Sequence, residues 1–442
     1  MNEYLAKVHK EALAEKLADS LVASIPQMTE RRVYGAVALP GKASAIIGMR
    51  RAGKTGFLHQ LRQERMARGA ALAELPYINF EDERLAGLQG EHLGFLLEEY
   101  GRRMAGGRGS VTWCFDEIQV VPGWERFVRR LLDSGQGEVL VTGSSAALLS
   151  QEIATALRGR AWAVPLYPFS FAEFLRHKGE KIPGYPTSLS SSERARLERA
   201  FLDWLAAGGF PEAQGLETGT RRQLLQDYVD VAMLRDIVER HRVSNITGLR
   251  WLVRHLMGNA ASLFSVEKFH ATLKSQGVAI GRDTVHQLLG YCEDCFLVRL
   301  VWMESNSERQ RMVNPRKVYP IDHGLIPIYD RSGRGNQGHA LETAVLIELE
   351  RRRFSVTYVR TQAGHEVDFL ARSAAGEREL IQVCADASEP ATANRELRAL
   401  LAASEIYPDA RLRLLTLTRD GAPAHVPTGI EVQPAYEWML TP

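Results

Sequence analysis

The sequence predicts an α/β protein whose first part is built on a parallel sheet. Between about residues 35 and 165, apolar runs such as ASAIIGM, VTWCFDE and GEVLVTGSS alternate with helical patterns. Apolar strands separated by helices are typical of a parallel sheet that is covered on both faces. The first run leads into GMRRAGKT, residues 48–55, which fits the phosphate-binding pattern G-x-x-x-x-G-K-T. A nucleotide-binding α/β domain is therefore predicted over residues 35–167.

The composition is that of a globular protein with several domains. The 442 residues are 45% hydrophobic and 24% charged, and 55 basic against 53 acidic residues leave a net charge of +2. This balance argues neither for nor against nucleic acid as a partner. No apolar run has the length of a membrane span and the N-terminus is charged throughout, so we expect a cytoplasmic protein. The cysteines are too few and too scattered for a disulfide framework: Cys114, Cys292, Cys295 and Cys384.

The rest of the chain divides into four further segments by pattern. Residues 1–34 predict an N-terminal helix and lead-in. Residues 168–244 are predicted to be helical, with GGFP as a break between two of the helices. Residues 245–330 contain three short helical patterns followed by the strand-like LVRLVWM, which is the plan of a winged-helix module. Residues 335–442 follow the order αβββαβ.

The phosphate-binding loop assigns the first candidate site residues. Gly48 and Gly53 let backbone N–H groups point at phosphates, at the start of a helix whose dipole attracts anions. Lys54 is expected to reach the β- and γ-phosphates, and the Thr55 hydroxyl to hold Mg²⁺. Arg51 lies inside the loop and is a further candidate for nucleotide binding; the alternatives are a solvated side chain or, in a ring, one that faces a neighbouring subunit or a backbone phosphate. ATP and Mg²⁺ are therefore the predicted ligands.

An acidic pair supplies the second half of the predicted site. The strand VTWCF ends in Asp116 and Glu117, about 60 residues after the loop. Asp116 is predicted to lie next to the Mg²⁺ ion, and Glu117 is predicted to orient and deprotonate the attacking water. The alternative is an ordinary acidic pair at a strand end. The pair favours hydrolysis of the nucleotide over binding alone.

Two further catalytic candidates follow in the chain. Ser144 or Ser145, after the strand EVLVTG, could contact the γ-phosphate or the water, although a helix-capping serine is equally possible. In ALRGR, Arg158 or Arg160 could reach the nucleotide of a neighbouring subunit, or could belong to a solvated basic turn.

The ordered motifs GxxxxGKT, YINFED, DEIQ, VTGSS, LRGR, PLYPFSFAEF, GGFPEA and EVDFLA cover about residues 35–390. This order resembles a family of bacterial and archaeal AAA-type P-loop ATPases whose C-terminal domain is related to restriction endonucleases. The resemblance implies an AAA+ core, a helical lid over residues 168–244 and a winged-helix module. It also implies assembly into a homo-oligomeric ring, expected to be hexameric, and strengthens the hypothesis that Arg160 acts on a neighbour's nucleotide.

The last segment resembles the PD-(D/E)XK nuclease fold without its complete chemistry. Such a site needs an acid on the helix, an Asp on one strand and an acid-x-Lys on the next. Glu342 and Asp368 match the first two positions, whereas Gln382 and Cys384 stand where the second acid and the lysine belong. The amide of Gln382 brings no negative charge to a divalent metal ion, and the neutral thiol of Cys384 cannot supply the positive charge of a lysine. We predict a degenerate nuclease domain with a DNA-binding or assembly role.

Basic residues in and after the winged-helix segment suit contacts with phosphates that do not depend on base sequence. The alternative is a winged helix that makes protein contacts. The candidates for nucleic-acid contact are Arg282, Arg299, Arg311, Arg316 and Lys317.

The leading function is an ATP-driven ring that binds DNA independently of sequence and remodels or translocates it, for example at branches or forks in repair and recombination. A second hypothesis is a nucleotide-gated switch or defence ATPase that acts on a protein partner. A third, disfavoured one is an active ATP-dependent nuclease with its metal held by Glu366 and Asp386.

Overall fold

The computed structural model describes residues 3–104, 110–135, 137–144, 157, 159–184, 189–330 and 336–441. The chain divides into two compact units, Met1–Leu166 and Tyr167–Pro442, called unit 1 and unit 2 below. Unit 1 contains a five-stranded sheet and unit 2 an eight-stranded sheet. Each sheet lies in a hydrophobic core of its own unit.

Unit 1 alternates helices and strands, as the sequence predicts. Its elements are α1 Glu3–Ser20, β1 Ala43–Ile47, α2 Lys54–Ala67, β2 Tyr77–Asn79, α3 Gly94–Arg103, β3 Thr112–Asp116, α4 Trp124–Asp133, β4 Glu138–Gly143 and β5 Ala161–Pro165. All pairings in the sheet are parallel, in the order β2-β3-β4-β1-β5. Every residue of β1 and β3 is buried, because helices cover both faces of the sheet. The predicted α/β class with a parallel sheet is confirmed.

The strand register brings the future site residues to one edge of this sheet. Ile47 at the end of β1 lies beside Gly143 at the end of β4, and Phe115 of β3 lies beside Val141 of β4. The carboxyl ends of three neighbouring strands are therefore nearly level. Loops that follow those strands meet at this edge, which is where ligands bind in open parallel sheets.

The N-terminal helix α1 belongs to unit 1. Its apolar side buries Ala12, Leu13 and Leu17 in the hydrophobic cluster that also contains Ile78 and Phe80 around β2. The predicted lead-in is thus held to the core chiefly by Leu13 and Leu17, whose burial is worth about 1.5–3 kcal/mol each.

Unit 2 begins with helices and ends in a mixed sheet. Its elements are α5 Phe171–His177, α6 Ser191–Ala207, α7 Thr218–Val231, a π-helical turn Ala232–Glu239, α8 Ile246–Gly258, β6 Ser262–Phe264, α9 Val266–Ser275, α10 Arg282–Asp294, β7 Val298–Met303, α11 Glu308–Val313, β8 Arg316–Pro320, α12 Ile326–Tyr329, α13 Gln337–Arg351, β9 Ser355–Arg360, β10 Glu366–Arg372, β11 Arg378–Cys384, α14 Pro390–Ser404, β12 Arg411–Thr416, β13 Ile430–Pro434 and α15 Ala435–Leu440.

One sheet joins the segments that the sequence divides into separate modules. Its order is β13-β12-β11-β10-β9-β7-β8-β6, and β7 pairs with β9 in parallel through Trp302–Thr357 and Met303–Tyr358. Strands from residues 245–330 and from residues 335–442 therefore share backbone hydrogen bonds. Pairing between strands that are distant in sequence leaves no local signal, which is why the pattern alone suggested a boundary here.

The helices of residues 168–244 also share the core of unit 2. Phe171, Phe201 and Trp204 lie in one hydrophobic cluster with Leu341 of α13 and Tyr436 of α15. The segments assigned by sequence to a lid, a winged helix and a C-terminal domain are thus not separate compact bodies. Among the residues that the structure describes, no helix is long and apolar enough to cross a membrane.

Candidate active site

The loop between β1 and α2 has the backbone that its sequence requires. A Cβ atom at Gly48 would lie 2.1 Å from the carbonyl oxygen of Leu166, so only glycine permits this close approach. Arg51 has a φ of 67° and Gly53 a φ of 98°, both in the left-handed region. These two residues turn the chain into α2, which begins at Lys54. The loop therefore ends on a helix N-terminus, a favourable position for an anion.

Lys54 lies at the centre of this loop, and its side chain is 4% exposed. Its Nζ donates hydrogen bonds to the carbonyl oxygens of Gly48 at 3.2 Å and Met49 at 3.3 Å. The same Nζ lies 3.4 Å from Oε1 of Glu117. One ammonium group thus connects the loop that follows β1 with the acidic pair that ends β3.

Asp116 is buried at the end of β3 and accepts three side-chain hydrogen bonds. The donors are Thr55 Oγ1 at 2.9 Å, Tyr77 Oη at 2.8 Å and Thr142 Oγ1 at 2.5 Å. Burial raises the pKa of Asp116, and the three hydroxyl donors only partly oppose that rise. A cation beside the carboxylate would favour its charged form. Asp116 and Thr55, which the sequence predicts to bind Mg²⁺, are in direct contact.

Glu117 has a different electrostatic environment from Asp116. Its backbone N–H donates to Thr142 Oγ1 at 2.8 Å, and its carboxylate accepts a hydrogen bond from Gln119 Nε2. Burial opposes its charge, but Lys54, Gln119 and the charge of Arg50 outweigh burial and lower the pKa of Glu117. Glu117 is therefore ionised at neutral pH, as a general base must be.

The residues fit a nucleotide with its magnesium ion. A hydroxyl and a carboxylate 2.9 Å apart form the oxygen donor set that Mg²⁺ prefers, and Mg²⁺ usually completes its shell with phosphates and water. Among the described residues, no group of three or more His, Cys, Asp and Glu side chains is placed to hold a metal ion. A metal ion here would thus depend on Thr55, Asp116 and oxygens of the bound nucleotide.

The two remaining catalytic candidates, Ser144 and Arg160, lie next to strands of the same sheet. Ser144 is buried directly after β4, level with the acidic pair. Arg160 precedes β5, is 42% exposed and forms an ion pair with Asp133. Ser145 and Arg158 lie outside the described residues. The roles of Ser144 and Arg160 remain predictions.

Three supporting residues were missed by the sequence analysis. Tyr77 and Thr142 bind Asp116, and Thr142 also binds the backbone of Glu117. Arg31, before β1, donates from Nη1 to the carbonyl oxygen of Ala52 in the loop at 2.9 Å. Thr142 has a local signal, since it directly precedes the strand end in VTGSS. Tyr77 and Arg31 have none, because only the fold brings them to the loop and the acid.

In unit 2, the predicted nuclease residues are brought together around an unexpected partner. Lys317 Nζ lies 3.2 Å from Glu342, 2.8 Å from Asp368 and 2.9 Å from Glu366. Lys317 is 3% exposed, so the prediction that it contacts DNA is wrong. Burial opposes its charge, but the surrounding acids outweigh burial and raise the pKa of Lys317.

The two substituted positions of that site make other contacts. Gln382 Oε1 accepts the backbone N–H of Asp368 at 3.3 Å, and its Nε2 donates to Glu396 at 2.7 Å. Cys384 Sγ donates to the carbonyl oxygen of Asp386 at 3.3 Å, and burial raises the pKa of its thiol to about 11. Gln382 thus connects β10 to α14 through hydrogen bonds. Cys384 is a neutral thiol.

The other candidates for nucleic-acid contact differ in accessibility. Arg299 donates from Nε to both carboxylate oxygens of Glu350, at 3.0 and 2.8 Å, which removes support for a phosphate contact there. The guanidinium of Arg316 lies 3.7 Å from the ring centre of Trp302. Arg311 pairs with Glu308. Arg282, the first residue of α10, has a side chain that is 61% exposed.

Comparison with known proteins gives two domain matches. The AAA domain family matches residues 40–175, and a domain of unknown function, DUF8612, matches residues 198–331. An uncharacterised protein of Methanocaldococcus jannaschii is 34% identical over 418 residues, which is 91% of this chain and 89% of that protein. An uncharacterised protein of Haemophilus influenzae is 29% identical over 330 residues, or 74% and 79% of the two chains.

Solved structures are similar only at a distance. A Walker-type ATPase of Pyrococcus abyssi covers 72% of this chain and 95% of its own, with 16% identity and a TM-score of 0.41. The ORC1 protein of Aeropyrum pernix, solved in complex with DNA, covers 73% and 91%, with 15% identity and a TM-score of 0.29. These values are too low to carry an argument about function.

Proposed function

We propose that this chain, which belongs to the same family as the Methanocaldococcus jannaschii protein and carries an AAA domain, is a Mg²⁺-dependent ATPase. The observation that carries the proposal is the junction of the loop with the acidic pair. Thr55 binds Asp116 at 2.9 Å, and Lys54 lies 3.4 Å from an ionised Glu117. Binding groups and a base for hydrolysis therefore meet at one edge of the sheet.

The chain's own residues divide the work of the reaction. Phosphate oxygens are charged acceptors and bind an ammonium more strongly than the carbonyl oxygens of Gly48 and Met49 do. Lys54 therefore turns from these carbonyls and from Glu117 to the phosphates. Glu117 loses its nearest cation, becomes more basic, and takes a proton from the attacking water. The magnesium ion, when bound, neutralises charge on the phosphates.

The test separates binding from hydrolysis. Lys54→Ala is expected to abolish ATP binding, whereas Glu117→Gln binds ATP and hydrolyses it about 10²–10⁴-fold more slowly. Fluorescent-nucleotide binding and phosphate release measure the two steps, with the exposed Glu98→Gln as matched control. Hydrolysis at the wild-type rate in Glu117→Gln would remove Glu117 from the mechanism.

We further propose that unit 2 binds DNA independently of sequence, so that ATP hydrolysis drives remodelling or translocation. The order α8-β6-α9-α10-β7-α11-β8, with β6 and β7 both antiparallel to β8 and the short helix α11 between β7 and β8, supports a winged helix. Its recognition helix is then α10, with Arg282 exposed at its start. DNA should stimulate the ATPase, and Arg282→Ala should reduce that stimulation. An ATPase indifferent to duplex, forked and branched DNA would favour a nucleotide-gated switch with a protein partner.

A homo-oligomeric ring, expected to be hexameric, is proposed on the basis of Arg160. Its half-exposed side chain pairs with Asp133 within unit 1, an exchangeable contact that a neighbour's nucleotide could replace. Light scattering with a non-hydrolysable ATP analogue tests for assembly. Arg160→Ala should then lower ATP turnover without lowering ATP binding. Full turnover by a monomer would refute a shared site.

A further inference from the structure

We propose that the Lys317 ammonium takes the place of a divalent metal ion among Glu342, Glu366 and Asp368, and that this acidic cluster is a structural ion clamp. The cluster lies in unit 2 and contains none of the residues proposed to bind the nucleotide. The proposal therefore stands independently of the ATPase.

The geometry around Lys317 is that of an occupied cation site. Its Nζ lies within 3.2 Å of an oxygen from each of the three carboxylates, and its side chain is 4% exposed. Glu366 and Asp368 are two residues apart on β10, a spacing that directs side chains to the same face of a strand. A metal ion that bound the same three oxygens at about 2.0–2.6 Å would have to lie where the ammonium lies. Two cations cannot share that position.

Two of the carboxylates also accept hydrogen bonds from other protein donors. Tyr319 Oη donates at 2.8 Å to the same Glu342 oxygen that Lys317 contacts, and the backbone N–H of Val383 donates to Asp368 Oδ2 at 3.0 Å. The amide of Gln382 contacts the Asp368 backbone and Glu396. Glu342 and Asp368 are thus held by protein donors besides Lys317.

The clamp connects parts of unit 2 that the backbone joins only weakly. Lys317 lies on β8, whereas its partners lie on α13 and β10. Two strands, β9 and β7, separate β10 from β8 in the sheet, and a flat sheet would hold their backbones about 14 Å apart. The contact of 2.8 Å between Lys317 Nζ and Asp368 Oδ1 is made between side-chain ends that reach across these two strands. The clamp therefore links β8 directly to β10, beside the short β7–β9 pairing.

The experiment measures Mn²⁺ binding to the full-length chain without nucleotide, by the electron paramagnetic resonance signal of unbound Mn²⁺. Wild type is expected to bind no Mn²⁺ at this cluster, so that Asp368→Asn leaves its Mn²⁺ binding unchanged. Lys317→Met removes the ammonium but keeps most of the side-chain volume, and should bind one more Mn²⁺ per chain than wild type. Adding Asp368→Asn to Lys317→Met should abolish that gain. Lys268→Met, an exposed lysine of the same unit, is the matched control.

Two results would overturn the proposal. The first is Mn²⁺ binding by wild type that Asp368→Asn removes, since the lysine would then assist a metal ion and not replace it. The second is a folded Lys317→Met that gains no Mn²⁺. If Lys317→Met does not fold, the comparison of wild type with Asp368→Asn decides alone.

Discussion

Units 1 and 2 each contain a buried lysine among carboxylates, yet the two lysines are held differently. Lys54 and Lys317 both have side chains that are 4% exposed. Lys54 lies at a loop–helix junction, contacts two carbonyl oxygens and has one carboxylate at 3.4 Å. Lys317 lies inside a strand and has three carboxylates within 3.2 Å. Weak, replaceable partners suit a lysine that must transfer to a ligand, whereas charged partners on fixed strands hold the other lysine permanently.

The largest expected difference between the two lysines is in stability. Lys317→Met should lower the free energy of unfolding by about 3–5 kcal/mol, because it leaves the buried carboxylate of Asp368 without its cation. Lys54→Met should cost only about 1–2 kcal/mol, since Glu117 keeps its hydrogen bond from Gln119. Urea denaturation measures both, with Lys268→Met as control. Equal losses would contradict the contrast between a clamp and an exchangeable contact.

The next contrast concerns Thr142, which serves both acids of unit 1. Its hydroxyl bonds Asp116 and accepts the backbone N–H of Glu117. Thr142→Val keeps the shape but leaves a buried N–H unsatisfied, so we expect a loss of about 1–3 kcal/mol in stability. ATP turnover should fall more than ATP affinity, because the base is displaced and the loop is not. An unchanged turnover would indicate that Glu117 is oriented by other contacts.

The pH dependence of stability should have opposite signs at Glu117 and Glu342. Burial and the charge of Asp368 raise the pKa of Glu342 above 4.5, so its contribution is favourable at low pH and is lost as pH rises. Glu342→Gln should flatten the decline of stability between about pH 5 and pH 8. The pKa of Glu117 is lowered, so its contribution to stability is lost as pH falls. Glu117→Gln should therefore make stability decline less steeply at acidic pH. Thermal unfolding across pH checks both, and a common sign would contradict the assigned environments.

The smallest effect is expected at Tyr77. Tyr77→Phe removes one of three hydroxyl donors to Asp116, which Thr55 and Thr142 continue to bind. Losing one such bond should weaken Mg²⁺-dependent ATP affinity by about 0.5–1.5 kcal/mol, or roughly two- to tenfold. Titration of fluorescent nucleotide with and without Mg²⁺ measures it. If the loss of affinity is the same with and without Mg²⁺, Tyr77 supports the phosphate-binding loop and not the binding of Mg²⁺.

Much of the unit 1 site could be predicted because its residues are contiguous. Gly48 to Thr55 is a single loop and helix start, and Asp116–Glu117 directly follows an apolar strand. Tyr77 was missed because it lies 39 residues from Asp116 and reaches it only through the pairing of β2 with β3. In unit 2, the acids on α13 and β10 were found by a resemblance. The resemblance puts Cys384 where a lysine belongs, whereas Lys317 was predicted to contact DNA.

The sequence by itself determined the α/β class, the phosphate-binding loop and the acidic pair, because each depends on neighbouring residues and a strand–helix alternation. Only the tertiary structure determined which groups Lys317 contacts. Glu342 and Asp368 are 25 and 51 residues away from it, and the sheet that joins β7 to β9 brings them together. As a sequence, RKVYP is a basic strand suited to phosphates. In the fold, the same lysine is enclosed by carboxylates, since a buried ammonium needs charged partners more than it needs a ligand.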